Sequence, residues 1–126
     1  MADRYRGTTA YVRVLAELVR AAEYRGLTTY QDIAVIMGLP TWGSHMGAET
    51  GRILGEISED EVRAGRPMLS AVAVDVKGNV GAGFFVLARQ MGRLGDSADE
   101  QQFWIGERDA AYAAWRRPIL KRDYDK

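Results

Sequence analysis

The side chains able to do chemistry in this sequence are few, and the absences narrow the choices. None of the 126 residues is cysteine, which excludes disulfides, thiolate metal sites and a cysteine nucleophile. His45 is the single histidine; by itself it completes neither a zinc site nor a nucleophile–base pair, and it is expected on the solvent side of a helix start. Asp75-Val76-Lys77 closes an apolar run with the Asp-x-Lys spacing of metal-dependent nucleases. With Glu56 or Glu59 as a second carboxylate it would hold Mg²⁺ while Lys77 orients a water; the competing reading is a turn kept soluble by charge. Gly81-Ala82-Gly83 would let a phosphate approach the backbone, but it lacks the lysine of a P-loop and the full dinucleotide spacing. A sharp bend into a following helix is the simpler expectation. Trp42, between Pro40-Thr41 and Gly43-Ser44, is either a lid on the core, the favoured reading, or an exposed anchor for a partner.

Positioning these residues takes one ordinary domain, residues 1–126. The chain is 47% hydrophobic and 27% charged, with 17 Lys+Arg against 17 Asp+Glu, a balance that argues against a strongly basic coat for nucleic acid. No apolar run approaches the ~20 residues of a membrane helix, and no apolar segment follows the charged start as in a secretory signal. A cytoplasmic protein without a cofactor is expected.

Val12, Leu15, Ala16, Val19 and Ala22 recur at helical spacing and predict a helix over 9–25, ended by Gly26. A second, over 28–38, starts on Thr28 or Thr29 with Gln31 or Asp32 completing a capping box. A third, over 45–57, gathers Met46, Thr50, Ile53, Leu54 and Ile57 on one face and His45, Glu49, Arg52 and Glu56 on the other. The turn between these two carries Gly and Pro, as in helix-turn-helix units. Ser58 is read as the cap of a separate turn. Leu69, Val72, Val74 and Val76 then predict a half-buried strand over 68–76, turned at Lys77-Gly78-Asn79 to pair with a second strand over 80–83. Phe84 to Met91 reads as a short helix, and Ser97 as the cap of a last one whose stripe is Phe103, Trp104, Ala111, Ala114 and Trp115. A basic tail, 116–122, ends the pattern. The fold class expected is α+β, winged-helix-like, a helix-turn-helix plus a β-hairpin with additional N- and C-terminal helices.

Four segments carry a family likeness: Thr29-Tyr30-Gln31-Asp32-Ile33-Ala34, Thr50-Gly51-Arg52-Ile53-Leu54, Pro67-Met68-Leu69 and Gly78-Asn79-Val80-Gly81. Through them residues 27–84 resemble the C-terminal winged-helix domain of the alkylguanine-DNA alkyltransferases and alkyltransferase-like proteins. The resemblance implies a DNA-binding recognition helix over the Gly51 segment. It also implies lost alkyl transfer, because the family's Pro-Cys-His-Arg nucleophile run is matched by Leu69-Ser70-Ala71-Val72, and a serine without a base is a poor nucleophile. Ala48 falls where the family has its base-flipping arginine.

The first functional reading is therefore a non-enzymatic DNA-binding protein, a regulator or accessory factor, contacting DNA through Ser44, His45, Arg52 and Lys77. The alternative is a protein-binding module, such as a phage-type inhibitor of a host enzyme, using Trp42, Glu49 and Glu56. The metal-dependent nuclease on Asp75 and Lys77 is the third. A monomer is expected, or a homodimer if the last aromatic helix buries against a second copy.

Overall fold

The computed structural model describes residues 3–117, so the expected basic tail lies outside the described residues beyond Arg117. The elements are α1 (Thr9–Glu23), β1 (Thr28–Thr29), α2 (Tyr30–Met37), α3 (Gly43–Arg63), a 3-10 turn (Leu69–Val72), β2 (Ala73–Val74), α4 (Ala82–Gln90) and α5 (Glu100–Trp115). The two strands are two residues each and pair in parallel, Thr28 with Ala73 and Thr29 with Val74. This corrects the winged-helix expectation: the chain is mostly helical, and β2 meets the segment before α2 instead of a hairpin partner.

The hairpin fails for reasons visible in the packing. Met68 through Val74 is buried throughout, so the run has no solvated face, and the two-residue spacing of its valines does not mark a half-exposed strand. The turn after it does form. The Asp75 carboxylate accepts the N–H groups of Lys77 (2.8 Å) and Asn79 (3.0 Å), while the Asp75 N–H donates to the Asn79 carbonyl. The returning chain then leaves the sheet, because the Gly81 N–H donates to the Tyr30 hydroxyl at 2.7 Å and α4 begins one residue later. The bend expected at 81–83 is thus present, anchored to α2.

Helix ends follow local chemistry. Thr8 caps α1 by accepting from the Tyr11 N–H, and Thr29 and Asp32 make a reciprocal capping box on α2, each such cap contributing about 1 kcal/mol. Gly38, at φ 75°, ends α2. Asp99, not Ser97, caps α5 by accepting from the Gln102 N–H. Helix α3 does not stop at Ile57: Ser58 lies wholly buried inside it, and Glu59 and Asp60 beyond it are held by basic partners described below.

Two apolar clusters form the core. Val14 and Leu18 of α1, Ile33 of α2, Ile53 and Ile57 of α3 and Ala111 of α5 meet around Leu69 and Val72. Met68, Ala71 and Val74 pack with Phe84 and Ala88 of α4, Leu94 and Trp104. The aromatic stripe of α5 faces inward at Trp104, whose indole N–H donates to the Ala71 carbonyl at 2.9 Å; Ala114 is exposed. Among the described residues no helix is long and apolar enough to cross a membrane.

Candidate functional site

Helix α3 changes character along its length. From Ile53 on, most of it is sunk: Ile53, Leu54, Glu56, Ile57, Ser58 and Glu61 are buried. Its first part is open, with Gly43, Ser44, His45, Gly47, Ala48 and Gly51 exposed. Gly47, Gly51 and Gly55 recur every fourth residue and so share one edge of the helix. A glycine inside a helix costs about 1 kcal/mol relative to alanine. Packing does not require two of the three, since a methyl group at Gly47 or Gly51 would meet no atom within 4 Å.

That edge lines a cleft of about 600 Å³, within the ~300–1,000 Å³ usual for small-molecule sites. Across from the glycines stand Phe84, Val86 and Leu87 of α4; Tyr30 and Gln31 of α2 and Ser70 also line it. The surface is mainly apolar with a few converging polar atoms. Burial pushes the Tyr30 phenol up, and the charge of Asp75 adds to this against the Gly81 N–H that opposes it; the hydroxyl stays protonated at neutral pH. It accepts from Gly81, so its own hydrogen is available to a ligand. The Ser58 hydroxyl accepts the Ser70 N–H (3.0 Å) and donates to the Ser70 Oγ (2.7 Å), which leaves the Ser70 hydroxyl hydrogen to donate elsewhere. The Gln31 Oε1 is buried with no hydrogen-bond partner among the described residues. The cleft therefore offers two donors and one acceptor on an apolar wall. Among the described residues Tyr30 is the only titratable side chain in the lining, and none there is a base placed to take a proton from Ser70.

A second feature uses another side of the same helix. The N-terminal segment wraps one flank of α3. The buried Glu56 carboxylate accepts the N–H groups of Arg4 (3.0 Å), Tyr5 (3.0 Å) and Arg6 (2.9 Å). The Arg6 guanidinium reaches Glu59 (2.8 Å), Asp60 (3.0 Å) and Asp3, and the Arg4 Nε sits 2.8 Å from Glu49. Tyr5 donates to Glu49 and Tyr11 to Asp60. Hydrogen bonding from Tyr5, with the Arg4 charge, holds the Glu49 carboxyl below its ordinary range. Burial pushes the Asp60 carboxyl up, but Tyr11, Arg6 and Arg63 outweigh it and the net direction is down.

The residues expected to act are thus divided. Ser44 and His45 are exposed at the open start of α3, and Lys77 is exposed on the Asp75–Asn79 turn, though no wing carries it. Arg52 is half-buried, its Nε 3.8 Å from Glu56, on the flank facing the N-terminal segment. Two partner-surface expectations are corrected: Glu56 is buried and Glu49 half-buried, both spent on holding residues 4–6. The lid expected of Trp42 is also corrected, for its side chain is 74% exposed. The nuclease constellation is not assembled. Asp75 is committed to its own turn, Glu56 and Glu59 to the N-terminal segment, and no cluster of three or more acidic or histidine side chains suited to a metal ion occurs among the described residues.

Sequence reasoning missed the cleft and the wrap. The glycine register at 47, 51 and 55 is the signal that would have disclosed the first; the second joins residues some 50 positions apart and leaves no local signature. Comparison with protein-family models, curated proteins and solved structures finds no match to this chain.

Proposed function

We propose that this protein is a non-enzymatic DNA-binding domain that receives a single unstacked base in the cleft between α3 and α4. The observation carrying this reading is a convergence. Tyr30, Ala48, Gly51, Ser70 and Gly81 belong to separate stretches of the sequence resembling alkyltransferase-like proteins or stand at that family's functional positions, and all five line this one cavity. A flat heterocycle suits the space: the glycine edge lets its face lie against the helix backbone, and Tyr30, Ser70 and Gln31 supply the hydrogen bonds that a base edge exchanges. The exposed N–H groups at the start of α3, where Trp42 provides no side-chain cap, favour a phosphate nearby. Ala48 cannot wedge a duplex apart, so the domain takes a base that is already poorly stacked, for which extrusion costs least. With Ser70 tied to Ser58 and without a neighbouring base, no group is transferred.

Fluorescence anisotropy with a labelled duplex carrying one mismatch, against its matched counterpart, tests this at 50 and 200 mM salt. Tighter binding to the mismatch, weakening as salt rises, with the oligonucleotide recovered chemically unchanged, is the expected outcome. Absence of binding to either duplex at 50 mM salt refutes it.

A protein partner is the second reading, favoured by the exposure of Trp42. It predicts an interaction that hardly responds to salt and that Trp42→Ala abolishes.

A further inference from the structure

The polar side chains that line the cleft are not equally provided for inside the protein. The Tyr30 hydroxyl is aligned by the Gly81 N–H at 2.7 Å, and the Ser70 Oγ by the Ser58 hydroxyl at 2.7 Å. Thr50, another hydroxyl in the lining, is spent on the Met46 carbonyl at 2.8 Å. Gln31 differs from all three. Its Oε1 is buried without a partner, and among the described residues no hydrogen bond holds either end of its carboxamide. The backbone under it is nonetheless fixed, because Gln31 lies in the first turn of α2, inside the capping box of Thr29 and Asp32. The last torsion of a glutamine is soft, so the oxygen turns toward the cleft without breaking any hydrogen bond. A buried acceptor left unpaired costs free energy that the chain does not recover by itself.

We infer that Gln31 is the specificity-determining residue of the cleft, its carboxamide oxygen accepting an N–H of the bound base while Tyr30 and Ser70 donate to ring nitrogens or carbonyl oxygens. The selection rests on the base-binding reading and adds to it the chemistry the pocket sorts by, the presence of an N–H donor on the heterocycle. A base with an N–H supplies the donor that the folded chain lacks; one without it closes over the oxygen, still unpaired, and forfeits that gain.

Adenine is the cleanest probe, because its exocyclic amine is its only N–H donor within DNA. Anisotropy at 50 mM salt on the full chain compares two duplexes that differ at a single base opposite an abasic site, adenine in one and purine, with hydrogen replacing the amine, in the other. An unopposed base costs little to extrude. Wild-type protein is expected to bind the adenine duplex about tenfold more tightly. Gln31→Leu removes the acceptor and should bring that ratio to about one, chiefly by weakening adenine binding. Its melting temperature should equal or exceed that of wild type, since an orphaned buried acceptor is gone. Gln31→Met, unbranched like glutamine, is the second variant and should behave alike. Wild-type protein that binds both duplexes equally, or a tenfold preference that survives in either variant, overturns the role of Gln31 and leaves the DNA reading standing. Wild-type protein that binds neither duplex at 50 mM salt overturns both.

Discussion

Replacing Gly51 separates the demands of folding from those of binding. Gly51 lies inside a 21-residue helix, and a methyl group added there meets nothing within 4 Å. Gly51→Ala should therefore recover most of the helix-propensity difference, about 0.5–1 kcal/mol. For a domain of this size that corresponds to a rise in melting temperature of about 2–8 °C, measurable by circular dichroism or by urea denaturation with an unchanged m-value. Gly51→Leu, at the same position, also has good helix propensity and places a branched side chain on a residue lining the 600 Å³ cleft. It should fold at least as well as wild type and bind the mismatched duplex tenfold or more weakly. A more stable protein that has lost its ligand is the signature of a glycine kept for an external occupant. If Gly51→Ala melts lower than wild type, the helix edge is packed in a way the structure does not show. If Gly51→Leu binds DNA undiminished, the cleft does not receive the base.

The other predictions concern the scaffold. Ser58→Ala removes the acceptor of the Ser70 N–H and the donor to its hydroxyl, both buried, and should cost about 1–3 kcal/mol in urea denaturation. Glu56→Ala leaves the three N–H groups of residues 4–6 without their carboxylate and should cost about 2–4 kcal/mol, with rapid proteolysis near the N-terminus as an independent sign that the segment has come away. Acid should loosen the same contact. Glu49 and Asp60 have folded pKa values below their ordinary 4.5 and 3.8, so the stability they contribute is fully present above those values and is lost as pH falls through the lower folded ones. Thermal melts from pH 7 down to pH 2 should be flat in this contribution to about pH 5 and fall below it; equal melting temperatures at pH 5 and pH 2.5 in the absence of other titrating groups would contradict the assignment.

What could be read from the residues follows from how local each signal is. The helices of 9–23 and 30–37 are written in apolar spacing and in caps such as Thr29 with Asp32, interactions completed within four residues. The supposed wing was misread because Leu69, Val72, Val74 and Val76 alternate like a half-buried strand, whereas burial of the whole stretch through Val74 removes the exposed face that alternation normally reports. Only the long-range capture of Gly81 by Tyr30 decides that the chain turns away from β2. Ser58 was similarly ambiguous: a serine before three acids is a good cap, but a wholly buried serine with an internal partner continues a helix instead.

The acids that follow Ser58 show why charge patterns resist reading in one dimension. Glu56, Glu59 and Asp60 look like a solvated run, and on an isolated helix they would be. In the folded chain they bind the segment containing Arg4 and Arg6, so what looks like a solvated acidic run is a holding site for another part of the same chain. This makes the two halves of α3 interdependent. The acid-rich half fixes the N-terminal segment and the core; the glycine-rich half remains open, lining the cleft on one edge. Loss of the segment would strip Glu56, Glu59 and Asp60 of their contacts to residues 4–6, so deletion of residues 1–6 should lower the melting temperature at neutral pH. Added neutral substitutions at Glu49 and Glu59 should restore part of the loss by relieving the uncompensated charge, and a deletion that melts with the full chain would mean that the segment adds nothing to the stability of α3.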